Sequence, residues 1–538
     1  MLNTLSLLLA LQPTVLPSSV LSAVPDQANL LVYCADLPAL RDRSERNDWF
    51  QLLRADRGEP LLVSLGDEFR RQSGTELSGA LDILGNATGE LVLFDTGSVA
   101  GFVTAAGAGR DDLAAAMRAW LPGPENQRTR HSVAGFEIEL AAWPGAGQGG
   151  RRDGHFAAFL DHPQVLALFS ADEPDILKSV VSSAIEGVIS GERAPLVKTF
   201  FDARGRRPGG IELFVDFGPF AAEARRALED AAEGDIVDPW RLLGLDKGMW
   251  LYASADVFPG SLIDVRAHLN VPEDSPAAFL SDTFKPLPPT LSTSLPASTE
   301  ALWALNWDLS LVYERSRKIF EDAGQADKLA WIDAGLGAAK TMVGVDPVQD
   351  LLASLSGDLA FYLTSGERGG VQDRGIAEPD WRDLGFYAGL RDGEAFLSAF
   401  ERVTGLEELE NELRLEEIAG ADAYVIEEDG ELDGGIVLLS NAFAVAPARV
   451  VLEQAARALA GQEGASLNVD SALRGLIGEH ANSCFLSVIN MGLFRGLVDV
   501  NASPSAVDEP QRGDPFDSRL IGSAQRTAGG FDFRVYTR

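Results

Sequence analysis

Cysteine, histidine and methionine are scarce, at two, five and five residues in a chain of 538. Two thiols make no disulfide framework, and by themselves they cannot hold zinc. Cys34 and Cys484 both sit in apolar, strand-like runs, where buried free thiols are the favoured reading over a bridge. Positive charge is also short: 45 Lys and Arg face 80 Asp and Glu, a formal charge of −35. Sequence-independent binding of nucleic acid or anionic lipid needs a positive surface, so this balance excludes both. A run of about 20 apolar residues, the length of a membrane helix, is missing as well, so no transmembrane segment is expected in the mature chain. The 46% apolar content nevertheless suits a folded protein with real cores, not a disordered acidic chain.

The first residues read MLNTLSLLLALQPTVLPSSVLSAVPD, with no charged side chain before Asp26. The apolar core Leu5–Leu11, followed by Pro13 and Pro17, is too short for a span but suits a secretory leader over 1–23, with small residues Ser22 and Ala23 near its end. The basic residue that usually opens such a leader is missing.

Internal repetition is the strongest signal. VPDQANLLVYCADLPAL from Val24 matches LPASTEALWALNWDLSLV from Leu295, pairing Pro25 with Pro296 and Asp36 with Asp308. Gly89-Glu90 matches Gly357-Asp358, and GFVTAAGAG from Gly101 matches GFYAGL from Gly385. VAGFEIEL from Val133 matches IAGADAYV from Ile418, and FVDFGPF from Phe214 matches VINMGLF from Val488. The order of the five matches is the same in both halves. Each half reads as strand, helices, hairpin, helix, strand meander, helices, strand, helix and last hairpin. Short turns between neighbouring strands favour antiparallel sheets with helices on one face. The expected fold class is therefore α+β, as two tandem copies of an antiparallel-sheet-plus-helices domain. The first copy spans 24–272 and the second 295–538, with a Pro/Ser-rich connector over 273–294. Asp111 and Asp392 stand where helix N-caps belong. Asp36, Asp216, Asp308 and Asn490 each close a strand before a helix start, which reads as four Asx caps before it reads as four ligands.

VPDQANLLVYCADLPALRDR and the later GELVLFD resemble a family of exported bacterial proteins known only as a domain of unknown function. The resemblance extends through LGLDKGMWLYASAD from Leu243 and LPASTEALWALNWDL from Leu295. It implies a protein outside the cytoplasm, in the periplasm or at the cell surface, and brings no catalytic residues with it.

Each familiar catalytic or binding motif lacks a defining part in this sequence. GLGAAKT, Gly335–Thr341, has the Lys and Thr of a phosphate loop but lacks its two glycines and follows a helical pattern. GAGQGG, Gly145–Gly150, fits G-x-G-x-x-G but leads into GHFAAFL, a strand, so no helix N-terminus awaits a pyrophosphate. The acidic turn Glu427–Gly435 lacks the closing glutamate of a calcium loop. His131, His155, His162, His268 and His480 include no H-E-x-x-H pair; His155 and His162 alone are near each other, without a third ligand for zinc. No G-x-S-x-G elbow occurs, and SLSGD at Ser354 lacks the first glycine. Trp303, Leu305 and Trp307 share one strand face, read as core rather than a sugar platform. The sequence therefore assigns no catalytic, cofactor-binding or metal residue and no cofactor. It favours exported, non-enzymatic binding or scaffolding with a ligand or protein partner that it does not name. The alternatives are a carboxylate-based extracytoplasmic hydrolase and a structural envelope component.

Overall fold

Apolar alternation decides which way each strand faces. Val165, Ala167 and Phe169 enter one core of the first unit while Leu166 and Leu168 enter another. This is a computed structural model, and it describes residues 19–48, 89–105, 109–121, 128–142, 156–204, 209–222, 226, 242–244, 248–260, 262–364, 381–405, 413–428, 431–494 and 518–538. Contacts gather them into two units, the first within 1–46, 53–220 and 250–257, the second within 47–52, 221–249 and 258–538.

The first unit contains β1 (Leu30–Cys34), β2 (Leu91–Asp95), β3 (Val99–Ala105), β4 (Thr129–Val133), β5 (Phe136–Ala142), β6 (Phe156–Asp161), β7 (Val165–Ala171), β8 (Ile211–Asp216) and β9 (Trp250–Val257). All pairings are antiparallel, in the order β9-β8-β1-β2-β3-β7-β6-β5-β4. Its helices are α1 (Ser19–Ser22), α2 (Leu37–Glu45), α3 (Arg110–Trp120), α4 (Pro174–Ser190) and α5 (Pro195–Arg204). Leu177 and Val181 of α4 and Phe200 of α5 join Leu31, Tyr33 and Phe94 in the larger core, whereas Leu113 and Met117 of α3 join Phe102 and Phe159 in the other. The expectation of helices on one face is thus corrected: both faces are covered. The apolar run VLALF that opens β7 carries the reason, since a strand buried on both sides has no polar face to leave in water.

The second unit contains β10 (Ile263–Asn270), β11 (Thr299–Asn306), β12 (Leu355–Thr364), β13 (Leu384–Leu390), β14 (Leu413–Ile418), β15 (Ala421–Glu428), β16 (Glu431–Leu439), β17 (Ala442–Ala446), β18 (Phe485–Asn490), β19 (Arg519–Thr527) and β20 (Gly530–Thr537). Their order is β10-β20-β19-β18-β11-β12-β13-β17-β16-β15-β14, again antiparallel throughout. Helices α6 (Pro276–Ser281), α7 (Leu291–Ser294), α8 (Leu309–Asp322), α9 (Ala326–Val343), α10 (Gly393–Thr404), α11 (Arg449–Leu459) and α12 (Ser471–Glu479) complete it. The Pro/Ser-rich stretch is built into this unit: Leu287, Leu291 and Leu295 lie in its main core beside Val451 and Leu476. On the other face Phe396 of α10 packs with Leu390 and Leu438. The molecule is therefore an α+β protein whose sheets are antiparallel. Among the described residues no helix is long and apolar enough to cross a membrane.

Two turns show how local sequence sets register. Ala134-Gly135 joins β4 to β5 with φ of 47° and 84°, and Ala419-Gly420 joins β14 to β15 with φ of 54° and 85°. Two successive left-handed residues match the twist of a two-residue hairpin, and glycine accepts the second at no steric cost.

Candidate functional site

The strand-end carboxylates of the sequence resolve into caps. Asp36 Oδ1 accepts from the Ala39 N–H at 3.0 Å to open α2, and Asp308 Oδ1 accepts from the Leu311 N–H at 3.2 Å to open α8. Asp216 and Asn490 make the shorter version, accepting from the N–H of Gly218 at 2.9 Å and of Gly492 at 3.0 Å. Asp392 caps α10 through the Ala395 N–H at 3.0 Å. Asp111 does not cap α3: Gly109 is the N-cap, at φ 80°, and Asp111 lies in the first turn. Glycine reaches this left-handed conformation freely, so the helix starts earlier than the aspartate suggests; there the carboxylate still faces the positive end of the helix dipole.

Burial alone would raise the Asp308 carboxyl, but the Ser310 hydroxyl, the Leu311 N–H and Arg391 outweigh it and hold the carboxyl below its ordinary value. Asp308→Ala is expected to destabilise the second unit by about 1 kcal/mol at neutral pH. A depressed folded pKa contributes stability above the unfolded value of about 4, and that stability is lost as pH falls through the folded value. The Tm difference between wild type and variant should therefore narrow as the melts are carried from pH 6 into the acid range.

The remaining candidates are likewise held by the fold. Cys34 and Cys484 are free and buried, and burial pushes both thiols up, away from the reactive thiolate. His162 is buried, packs on Phe136 at 4.5 Å and accepts from the Gln164 N–H through Nδ1, and burial with nearby Arg110 pushes its pKa down. His155 and GAGQGG lie outside the described residues. His131 is on β4 beside Thr129, 3.0 Å from its hydroxyl. His480 ends α12 with Nε2 3.1 Å from the Tyr536 hydroxyl. His268 pairs with Asp532 at 2.7 Å across β10 and β20, a contact with no sequence signal because the two lie at opposite ends of the unit's chain. Ser354 donates to the Asp350 carbonyl at 2.8 Å. GLGAAKT falls inside α9, and the acidic turn is the β15–β16 hairpin, Glu428 opposite Glu431. Among the described residues no group of three His, Cys, Asp or Glu side chains is placed to hold a metal ion.

Trp307 is half-buried and lies one residue beyond β11. It stacks flat on Phe284, rings 5.4 Å apart and 5° from parallel, and its indole N–H donates to Thr283 at 2.8 Å. Trp303 and Leu305 are only half-buried, whereas the fully buried face of β11 is that of Leu302 and Ala304.

That stacked pair marks one edge of a cleft of about 340 Å³ in the second unit, lined by Phe284, Lys285, Pro286, Asn482, Cys484, Arg526, Thr527 and Ala528. Three segments meet there: the stretch after α6, the turn into β18, and the β19–β20 hairpin. Arg526 pairs with Asp282, which also meets Arg315 at 3.1 Å, and the Lys285 ammonium donates to the Asp282 carbonyl at 3.0 Å. The lining carries two cations, Lys285 and Arg526, and no carboxylate, a local positive excess on a protein of charge −35. The Thr527 hydroxyl is buried without a hydrogen-bond partner in the described structure. Buried polar groups ordinarily have partners, and the cleft is of the size that small ligands occupy. The sequence missed it because its cationic walls, Lys285 and Arg526, are distant in the chain and neither sits in a motif.

No family model matches the chain, and no curated protein or solved structure matches it.

Proposed function

We propose that the protein is an exported, non-enzymatic binding protein, built from two copies of one antiparallel-sheet-plus-helices pattern, that takes a small carboxylate or phosphate in the Lys285–Arg526 cleft. The carrying observation for binding is that cleft, with its local positive excess and its unpaired Thr527 hydroxyl. The absence of a reaction is favoured by how the candidate groups are engaged: carboxylates as caps, thiols buried and raised, Ser354 bonded to backbone. Duplication is supported by strand order. Read from the last hairpin inward, β9-β8-β1-β2-β3-β7-β6-β5-β4 has the same sequence of connections as β19-β18-β11-β12-β13-β17-β16-β15-β14. Export, to the periplasm or cell surface, rests on the leader-like start and the family resemblance.

Equilibrium titration with inorganic phosphate and with succinate tests the ligand assignment. At least one is expected to bind the wild-type chain, and Lys285→Gln should weaken binding about tenfold or more, the size of a lost charge-assisted hydrogen bond. No binding, or binding unchanged in the variant, would sink the assignment. The hydrolase reading has one favourable observation, the Asp358 carboxyl. Burial pushes it up against the Ser356 hydroxyl that donates to it, the direction a general acid needs.

A further inference from the structure

The last residues of the leader-like stretch are core residues. Val20, Leu21 and Ala23 are 0% exposed, and Ser22 and Val24 are 3% exposed. Val20, Leu21, Ala23 and Val24 share one core with Leu31, Phe94 and Val181. α1 lies against α4, and at Gly187 an added Cβ would run into the Ser22 carbonyl oxygen. Glycine weakens a helix, and Gly187 lies in the last turn of α4 without a left-handed φ, so backbone proximity is what it serves. The second unit uses the same device before β11, which holds the place there that β1 holds in the first unit. α7 precedes β11, Leu291 and Leu295 are 1% and 0% exposed, and both lie in that unit's main core.

We infer that Ser19–Val24 is a retained element of the first unit, so that proteolytic processing of the N-terminus cuts before Ser19 rather than after Ala23. Cutting after Ala23 would strip Val20, Leu21 and Ala23 from the core and leave their space unfilled, which a packed interior does not repair by collapse. A short apolar helix ahead of the first strand is then part of the fold, and only the residues upstream of it are free to serve as a leader.

Two measurements on the full chain test this. N-terminal sequencing of the folded protein from an exporting host should find a first residue at or before Ser19; a folded protein beginning at Val20 or later overturns the inference. Retention of Met1 would refute export while leaving the inference standing, so the two readings fail separately. Gly187→Ala supplies the second test through its sign. With α1 docked, the new methyl meets the Ser22 carbonyl and Tm falls by about 5 °C or more. Without it, alanine strengthens the helix and Tm rises. An unchanged or higher Tm in that protein overturns the inference.

Discussion

Phe200→Ala is expected to destabilise the first unit by about 3–5 kcal/mol, the cost of removing a fully buried aromatic side chain and leaving its cavity. Phe200 is 0% exposed on α5. Its ring lies 5.5 Å from Phe201, 5.8 Å from Tyr33, 6.1 Å from Tyr252 and 6.4 Å from Phe214. These partners come from β1, β8 and β9 as well as from α5 itself, so one ring ties three strands to the helix above them. Edge and tilted contacts of this kind add to the area term. Phe200→Leu keeps much of the volume and should cost under about 1.5 kcal/mol. Urea unfolding of both variants checks the pair, and a Phe200→Ala loss no larger than that of Phe200→Leu would contradict the ring's role.

Gly101→Ala and Gly385→Ala are each expected to destabilise their unit by about 2–3 kcal/mol. Alanine in place of glycine ordinarily strengthens a strand, so the sign itself is informative. Gly101 lies opposite Phe94 across β2 and β3, and Gly385 lies opposite Tyr362 across β12 and β13. In both places the aromatic ring covers the glycine so closely that an added Cβ would enter the ring. Phe94 and Tyr362 are 2% and 0% exposed, so neither ring has free space to move into. Thermal melts read the losses. A neutral or stabilising Gly101→Ala would show that the ring yields and that close packing is not what fixes glycine there.

Much of this architecture is legible in the chain. The Asx residues Asp36, Asp216, Asp308 and Asn490 are read as caps from residue type and position, because a carboxylate or amide at a strand end has free N–H groups within reach. The Ala-Gly turns stand in the two matched phrases that contain them, and the Gly101 and Gly385 phrases are matched before any ring is seen above them. Three features escape the sequence for a shared reason, which is that they depend on contacts between distant segments. Lys285 and Arg526 meet at the cleft across most of the second unit, and His268 meets Asp532 through the β10–β20 register. Helices on the second sheet face need knowledge of what covers β7 on each side. The burial of Val20–Val24 is hidden differently: an apolar stretch near a chain start has the composition of a leader and of a core helix alike.

The reading of two copies is tested most directly by matched double-mutant cycles, Phe94→Leu with Gly101→Ala and Tyr362→Leu with Gly385→Ala, measured as unfolding free energies. One pattern used twice predicts that shrinking the ring relieves the added methyl in both halves. The couplings should then have the same sign and a size of about 1–2 kcal/mol. Coupling in one half and plain additivity in the other would contradict it.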